Sequence, residues 1–139
     1  MLVRRPIERK EGRDRDRGLR LRGATAPFFN DTTKYVVTST LTNATWRNST
    51  ILGSYDPAAI RRLKDEVGDL YVSGSGTLVR AMLADGLIDE LHLLVYPLTR
   101  GPGPRLFPEE AAPSKLSLAV CESYKNGVIY LIYRPQEHK

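Results

Sequence analysis

Two short segments rich in glycine and hydroxyl side chains have the composition of phosphate-binding turns. The first, Gly74-Ser75-Gly76-Thr77, follows an apolar run and leads into a helical pattern that starts at Leu78. Glycines leave the backbone open to close approach, and the free N–H groups and dipole of a helix start attract an anion. The hydroxyls of Ser75 and Thr77 add further donors. This segment therefore predicts a phosphate site.

The second segment, Thr38-Ser39-Thr40, places three hydroxyls at the end of a β-branched run that begins at Lys34. In open α/β sheets, ligands bind beyond the carboxyl ends of the strands, where loops lead into helix starts. Hydroxyl donors at such a position suit an oxyanion such as a phosphate. Two anion sites on neighbouring strand ends together predict a dinucleotide.

Both segments also have an ordinary structural interpretation. Gly74 and Gly76 are compatible with a tight turn between a strand and a helix that binds nothing, and threonine and serine are common in half-exposed strands. No third glycine stands at the spacing of the dinucleotide-binding fingerprint, and the next acidic pair, Asp89-Glu90, precedes a strand instead of ending one. An ordinary Rossmann domain is therefore not expected.

The other chemically capable side chains give weaker signals. His92 has no second histidine nearby for a zinc pair and lies in a predicted strand, so a structural or surface role is expected. Cys121 alternates with small strand residues, which is typical of a packed thiol. Trp46 stands in a polar loop, where it forms either an aromatic wall over a flat substrate or a simple packing contact. We predict no metal site, and the sequence assigns no catalytic residue or proton donor.

Short apolar runs separated by turn residues predict the elements that carry these segments. Asp56-Pro57 marks a helix start, and Asn126-Gly127 between two alternating runs marks a β-hairpin. Helices are expected between Asp56 and Gly68 and between Gly76 and Gly86, with strands over 34–41, 50–52, 69–73, 88–98, 115–124 and 128–133. This order predicts an α/β sheet flanked by helices, parallel in its middle, with an antiparallel hairpin at one end.

Length and composition limit the class of protein. A chain of 139 residues, 41% apolar and 27% charged, forms one globular domain or one domain with a tail. No apolar run approaches the roughly 18 residues of a membrane span, and the amino-terminal arginines are not followed by the apolar stretch of a secretion signal. A single cysteine, Cys121, can form neither an internal disulfide nor a cysteine-based zinc site. We therefore expect a cytoplasmic protein that does not enter membranes.

The formal charge of +5 comes from the stretch 1–22, where nine basic side chains stand against four acidic ones, while the rest of the chain is balanced. This stretch alternates in charge sign, contains Gly12 and Gly18, and has no sustained apolar period. We predict that residues 1–26 form an atypical, poorly ordered Arg-rich segment that precedes a domain over 27–139. The alternative is a nucleic-acid-binding arm, although its basic residues have no aromatic residues between them.

Several motifs in a fixed order resemble one known family. They are KYVVTSTL, WRNST, DLYVSGSGTLVR, GLIDELHLLVYP and GPGPRLF, which stand between Pro27 and Pro135. The series closely resembles the dihydrofolate-reductase-like family that includes the C-terminal reductase domain of the bacterial riboflavin-biosynthesis deaminase-reductase. The resemblance implies a dihydrofolate-reductase-like fold, NADPH as cofactor, a small-molecule substrate and a homodimer. By the same resemblance, Gly74 to Leu78 would bind the pyrophosphate and Thr38 to Thr40 the side of the adenosine 2′-phosphate.

The start of the chain departs from that family. Its members begin with a strand of the pattern "hydrophobic run, then S-x-D-G", which forms the centre of the sheet, and this sequence has no such strand. Residues 2–8 faintly resemble the family's L-x-G-R-x-T-Y-E helix start. Val3 takes the position of the motif's glycine, and its side chain narrows access to the backbone. Pro6 takes the position of the motif's threonine and removes an N–H donor. We expect a shortened domain that lacks the first central strand and leaves a sheet edge unpaired.

Three functions are compatible with these observations. The first is an NADPH-dependent reductase of the riboflavin-biosynthesis type, similar to 5-amino-6-(5-phosphoribosylamino)uracil reductase, that transfers hydride to a pterin-like or pyrimidine-like compound. The second is a catalytically inactive fragment of that family, which binds the cofactor or serves assembly. The third is nucleic-acid binding through the Arg-rich segment, whose signature is a strong dependence on salt.

Overall fold

The structure, a computed structural model, describes residues 1–4, 25–107 and 113–136. Its helices are α1 (Thr25–Asp31), α2 (Pro57–Val67) and α3 (Gly76–Ala84), and its strands are β1 (Leu2–Arg4), β2 (Lys34–Val37), β3 (Ser49–Gly53), β4 (Leu70–Val72), β5 (Leu91–Val95), β6 (Leu116–Ser123) and β7 (Ile129–Pro135). The chain divides into two compact units, Met1–Leu78 and Val79–Lys139. No helix in the described ranges has both the length and the apolar character needed to cross a membrane.

The first unit is built on a four-stranded mixed sheet with the order β3-β2-β1-β4. β2 and β3 are parallel, and β1 runs antiparallel to both β2 and β4. It follows that β2, β3 and β4 point the same way, so their carboxyl ends lie at one edge of the sheet. The mixed α/β fold class predicted from the sequence is confirmed.

β1 occupies the middle of this sheet, at a place where the sequence suggested a helix start. It pairs with β2 on one side and with β4 on the other. Leu2 and Val3 are 0% and 2% exposed, so this short strand, which pairs with β2 and β4 through its backbone, buries one apolar side chain on each face of the sheet. The helix interpretation is therefore wrong for residues 2–4, and a strand of only three residues stands in the interior of the sheet, where the sequence predicts that a central strand is missing. The rest of the predicted Arg-rich segment, residues 5–24, lies outside the described residues.

α2 begins and ends where the sequence predicts. The Asp56 carboxylate accepts the backbone N–H of Ala58 at 2.9 Å, which satisfies one of the free donors of the first turn. Ile60 and Leu63, three residues apart, are both buried and form the core-facing side of the helix. The helix is followed by Gly68, as expected for a C-cap.

Lys34, at the start of β2, is a charged side chain with 0% exposure. Its Nζ donates hydrogen bonds to the carbonyls of Phe29 and Thr32, the latter at 2.9 Å, and lies 4.7 Å from the centroid of the Trp46 ring. Carbonyls at a helix end and the face of an indole both stabilise a cation. Burial nevertheless lowers the pKa of Lys34 from its ordinary value, and repulsion from Arg47 adds to this effect. Lys34 thus connects the end of α1 to the segment before β3.

The sequence does not predict α1, which has only seven residues. Helices this short depend on tertiary contacts, because their own hydrogen bonds hardly offset the cost of nucleation. Here the contacts come from the segment before β3. Arg47 donates to the Asp31 carboxylate at 2.6 Å, Asn48 donates to the Asn30 carbonyl at 2.9 Å, and the Trp46 indole N–H donates to the Asn30 side chain at 2.7 Å.

The second unit contains an antiparallel sheet with the order β5-β7-β6. The predicted hairpin is present, with β6 and β7 joined through Asn126-Gly127, and β5 pairs along the other side of β7 with Leu91 opposite Tyr133. Among the described residues of this unit, the buried apolar side chains are Met82, Leu87, Leu91 and Val128. The sequence predicts these strands in their order along the chain. It does not predict that the strands form two separate sheets, because that depends on which strands pair with each other.

Glu90, just before β5, is held by Arg134 of β7, whose Nε and Nη2 donate to Oε1 of the carboxylate at 3.0 and 2.7 Å. This pair lowers the pKa of Glu90 from its ordinary value of 4.5, whereas burial acts in the opposite direction. The folded state therefore holds the proton less tightly than the unfolded state, so stability falls as the pH drops below 4.5. Because the Glu90 side chain is 37% exposed, solvent screening limits the gain at neutral pH to about 1 kcal/mol or less.

We accordingly expect Glu90→Gln to reduce the free energy of unfolding at neutral pH and to match the parent in strong acid. Urea unfolding at about pH 7 and about pH 3 measures both differences. Glu122→Gln, which changes an exposed carboxylate on β6, should equal the parent at both values. A deficit of Glu90→Gln that stays unchanged in acid would show that the charge of Glu90 has no part in it.

Candidate functional site

Both predicted phosphate-binding segments lie at the carboxyl edge of the first sheet. Thr38 directly follows β2, and the Gly74 turn begins two residues after β4. β2 and β4 run in the same direction and are separated by β1 alone. Since neighbouring strands lie about 4.8 Å apart, the two segments start roughly 10 Å from each other. The structure therefore brings Thr38–Thr40 and Gly74–Leu78 to one edge of one sheet.

The turn after β4 is made of backbone and hydroxyl groups. α3 begins at Gly76, and the Ser75 hydroxyl accepts the backbone N–H of Leu78 at 3.4 Å, as a helix N-cap does. Gly74 has a φ of 154°, and the peptide bond that joins it to Ser75 is cis. Ser75, Gly76 and Thr77 are all exposed. The backbone at the start of α3 is thus exposed to solvent, and the helix dipole favours an anion at this position.

This turn fits a phosphate group. A Cβ added at Gly74 would meet no atom within 4 Å, so the approach to the backbone is open. The Gly74 carbonyl, which would repel an anion, already accepts a hydrogen bond from the Met1 nitrogen at 2.9 Å. The N–H of Gly76, as the first of the helix, has no acceptor within α3. The backbone N–H of Leu78 already donates a hydrogen bond to the Ser75 hydroxyl, over a long distance of 3.4 Å.

The turn after β2 is organised by Thr38. Its Oγ1 accepts the backbone N–H groups of Thr40 and Leu41 at 3.3 and 3.2 Å, and its own N–H donates to the Gly53 carbonyl at 2.8 Å. With two donors bound to the hydroxyl oxygen, any further partner of Thr38 must accept the hydroxyl hydrogen. Ser39 and Thr40 are exposed beside it. The segment therefore offers O–H donors of the kind that a phosphate oxygen accepts.

Trp46 lies at the opposite edge of the sheet. Ser49, the first residue of β3, pairs with Lys34, the first of β2, and Trp46 stands three residues earlier. Its indole N–H binds Asn30, its ring covers the Lys34 ammonium, and 44% of the residue is exposed. The structure does not bring Trp46 together with the two segments predicted to bind phosphate. A packing role is visible, and the substrate contact stays a prediction.

A third turn at the same carboxyl edge, after β3, is not predicted from the sequence. Gly53 ends β3 and receives the N–H of Thr38, and the next residue, Ser54, is exposed. The signal in the sequence is a glycine and a serine after a short apolar run, which is also the pattern of Gly74-Ser75. The signal at Gly53-Ser54 is weaker because no helical pattern starts directly after it.

The two remaining candidates of the sequence analysis lie in the second unit. His92 of β5 is 41% exposed at its side chain, which agrees with a surface role. Cys121 is exposed, so the expectation of a packed thiol is wrong. β6 lies at the edge of its sheet, where side chains have fewer neighbours. Among the described residues, no three His, Cys, Asp or Glu side chains form a group that could hold a metal ion.

Gly74→Ala is expected to lower the free energy of unfolding by about 1 to 2 kcal/mol. The space around the added methyl group is open, but a φ of 154° is a conformation that L-residues rarely adopt. Gly103→Ala is the matched control, because it also adds a methyl group into open space and has no positive φ. Urea unfolding of the two variants measures the difference, and equal stability of both would show that the Gly74 backbone is unstrained.

Comparisons with known proteins bear on this fold. The model of the RibD C-terminal domain family matches residues 3–130. A solved structure from Shewanella sp. PV-4, named for riboflavin biosynthesis, has a TM-score of 0.68 and 20% identity and covers 77% of this chain. A pyrimidine reductase-like protein from Corynebacterium diphtheriae has a TM-score of 0.57 and 21% identity and covers 75% of it. No curated protein sequence matches the chain.

The similarity to the two solved structures, at these identities, concerns the fold alone. The chain spans 62% of the length of the first structure and 50% of the length of the second. The family match, in contrast, extends from β1 into β7 and includes both segments predicted to bind phosphate. The protein therefore belongs to the RibD C-terminal domain family.

Proposed function

We propose that this protein is an NADPH-dependent reductase of the riboflavin pathway. The family and the reductase-like neighbour support a reductase of that pathway at the level of the family. The observation that carries the finer proposal is the pair of donor-rich turns at one sheet edge, Thr38–Thr40 and Gly74–Leu78. Their separation of roughly 10 Å, two strand spacings, suits the pyrophosphate and the 2′-phosphate of one dinucleotide.

In this proposal, each turn binds a different part of the cofactor. The backbone at Ser75–Thr77 and the dipole of α3 hold the pyrophosphate, with Gly74 and Gly76 giving it access to the backbone. The hydroxyls of Thr38, Ser39 and Thr40 donate to the adenosine 2′-phosphate, which distinguishes NADPH from NADH. Bound NADPH supplies the hydride, and the protein orients it and keeps water away from the reaction.

The substrate class that we propose is a pterin-like or pyrimidine-like compound, by analogy with the uracil reductase of riboflavin synthesis. The pyrimidine reductase-like description of one neighbour favours the pyrimidine. We further propose a homodimer in the cytoplasm. The composition, with a single cysteine and no internal disulfide possible, is compatible with that compartment.

Turnover tests this function directly. The full chain, incubated with NADPH and a ribosylaminopyrimidine, is expected to oxidise NADPH, as followed by the loss of absorbance at its nicotinamide band. The same mixture with NADH should react much more slowly. If NADPH binds but is not oxidised with any pyrimidine or pterin substrate, the protein is a cofactor-binding protein without turnover and not a reductase. Absence of NADPH binding would contradict both the reductase and the cofactor-binding function.

A further inference from the structure

Four polar side chains form a continuous hydrogen-bonded row on one face of the second sheet. Arg134 donates to Oε1 of Glu90, Oε2 of Glu90 lies 3.1 Å from Nε2 of His92, and Nδ1 of His92 lies 2.7 Å from the hydroxyl of Tyr130. His92 pairs with Ile132, which stands two residues from both Tyr130 and Arg134. Because side chains alternate across a strand, this register puts the side chains of His92, Tyr130 and Arg134 on the same face of the sheet.

The charges along the row determine where the protons are. The hydrogen bonds from Arg134 lower the pKa of Glu90, so its carboxylate is ionised at neutral pH and only accepts. A neutral His92 therefore carries its hydrogen on Nε2, which faces the carboxylate, and has its lone pair on Nδ1. The Tyr130 hydroxyl must then donate to Nδ1 across the 2.7 Å contact.

This order of groups is that of an activated nucleophile. A hydroxyl donates to a histidine, and the far side of the histidine is oriented by a carboxylate, as in nucleophilic enzymes that use a base and a third, orienting group. The phenol is weakly nucleophilic as long as it keeps its proton, and a base at hydrogen-bond distance removes the proton as the new bond forms. The row is open to solvent, since the His92 side chain is 41% exposed.

We propose that Tyr130 is a modification site that accepts an acyl group from activated acyl donors, with His92 as its base. The Tyr130 oxygen attacks the acyl carbon while its proton passes to Nδ1 of His92. The bond from the acyl carbon to its leaving group then breaks, and the leaving group takes the proton from His92. The products are O-acyl-Tyr130 and the protonated leaving group, and no electrons are gained or lost. Glu90 is a positioning residue that fixes the His92 ring.

The test uses the full chain and N-acetylimidazole at a limiting concentration, with acetylated tyrosines located by mass spectrometry. Tyr96 is the internal control, because it is 56% exposed and hence more accessible than the partly exposed Tyr130. We expect Tyr130 to be acetylated at least about tenfold faster than Tyr96, as base assistance of this kind typically gives larger factors still. Labelling that follows exposure, with Tyr96 first, would overturn the proposal.

Variants separate base assistance from a merely structural role. His92→Ala should bring the rate at Tyr130 down to that of Tyr96 or below, while the rate at Tyr96 stays unchanged and reports an intact fold. Glu90→Gln keeps an acceptor for the His92 N–H and should retain most of the preference, whereas Glu90→Ala should lose it. An unchanged Tyr130 rate in His92→Ala would exclude His92 as the base.

Discussion

Gly76→Asp is expected to weaken NADPH binding at least about 100-fold, which corresponds to about 2.7 kcal/mol. The substitution puts a carboxylate at the first residue of α3, where the proposed pyrophosphate lies. Two like charges at about 4 Å repel each other by between about 1 and 4 kcal/mol, depending on how much water separates them. The measurement is an equilibrium titration with NADPH, followed by the fluorescence of the bound nucleotide.

The loss of affinity in Gly76→Asp can be distinguished from unfolding. An acidic residue in the first turn of a helix interacts favourably with the helix dipole, so the variant should be at least as stable as the parent. Gly103→Asp is the control, since it adds the same charge in open space at a glycine outside the two proposed phosphate turns. Equal affinity of the parent and Gly76→Asp for NADPH would remove the proposed pyrophosphate site.

Lys34→Met is expected to lower the free energy of unfolding by about 3 kcal/mol. Methionine fills a similar volume, but it donates no hydrogen bonds, so the carbonyls of Phe29 and Thr32 lose their partner in a site with no solvent access. Each carbonyl left without a partner costs about 1 to 3 kcal/mol. The contact between the ammonium and the Trp46 ring is lost as well. Urea unfolding measures the difference.

The control for Lys34→Met is Lys125→Met, in the exposed turn between β6 and β7, which should change stability by no more than about 0.5 kcal/mol. A second variant, Trp46→Leu, removes the ring beside the ammonium together with the indole hydrogen bond to Asn30, and should still cost less than Lys34→Met. If Lys34→Met were as stable as the parent, the buried ammonium would contribute no more to the free energy of unfolding than a methionine side chain of similar volume.

The sequence predicts elements where several local signals agree. α2 has an acidic N-cap, a proline in the first turn and apolar residues at helical spacing, and the hairpin has Asn-Gly between alternating runs. The two segments predicted to bind phosphate can also be located from the sequence, because a glycine turn or a hydroxyl run after a strand is a local feature. Their presence at one sheet edge follows from the parallel direction of β2 and β4.

Features that depend on distant partners are not visible from the sequence. β1 is a strand because it fits between β2 and β4, and its three residues alone do not indicate that. α1 depends on the side chains of Arg47 and Asn48, which are at least 16 residues away from their partners. The same holds for Trp46, whose partners Asn30 and Lys34 place it at the sheet edge opposite Thr38–Thr40 and Gly74–Leu78.

The claim that two turns at one sheet edge bind the phosphates of NADPH is tested most directly by amide chemical shifts during a titration of the ¹⁵N-labelled protein. We predict the largest shifts at Ser75, Gly76 and Thr77 with either NADPH or NADH, and additional shifts at Thr38–Thr40 with NADPH alone. Shifts centred elsewhere in the chain, or no shifts at either turn at saturating NADPH, would contradict the claim.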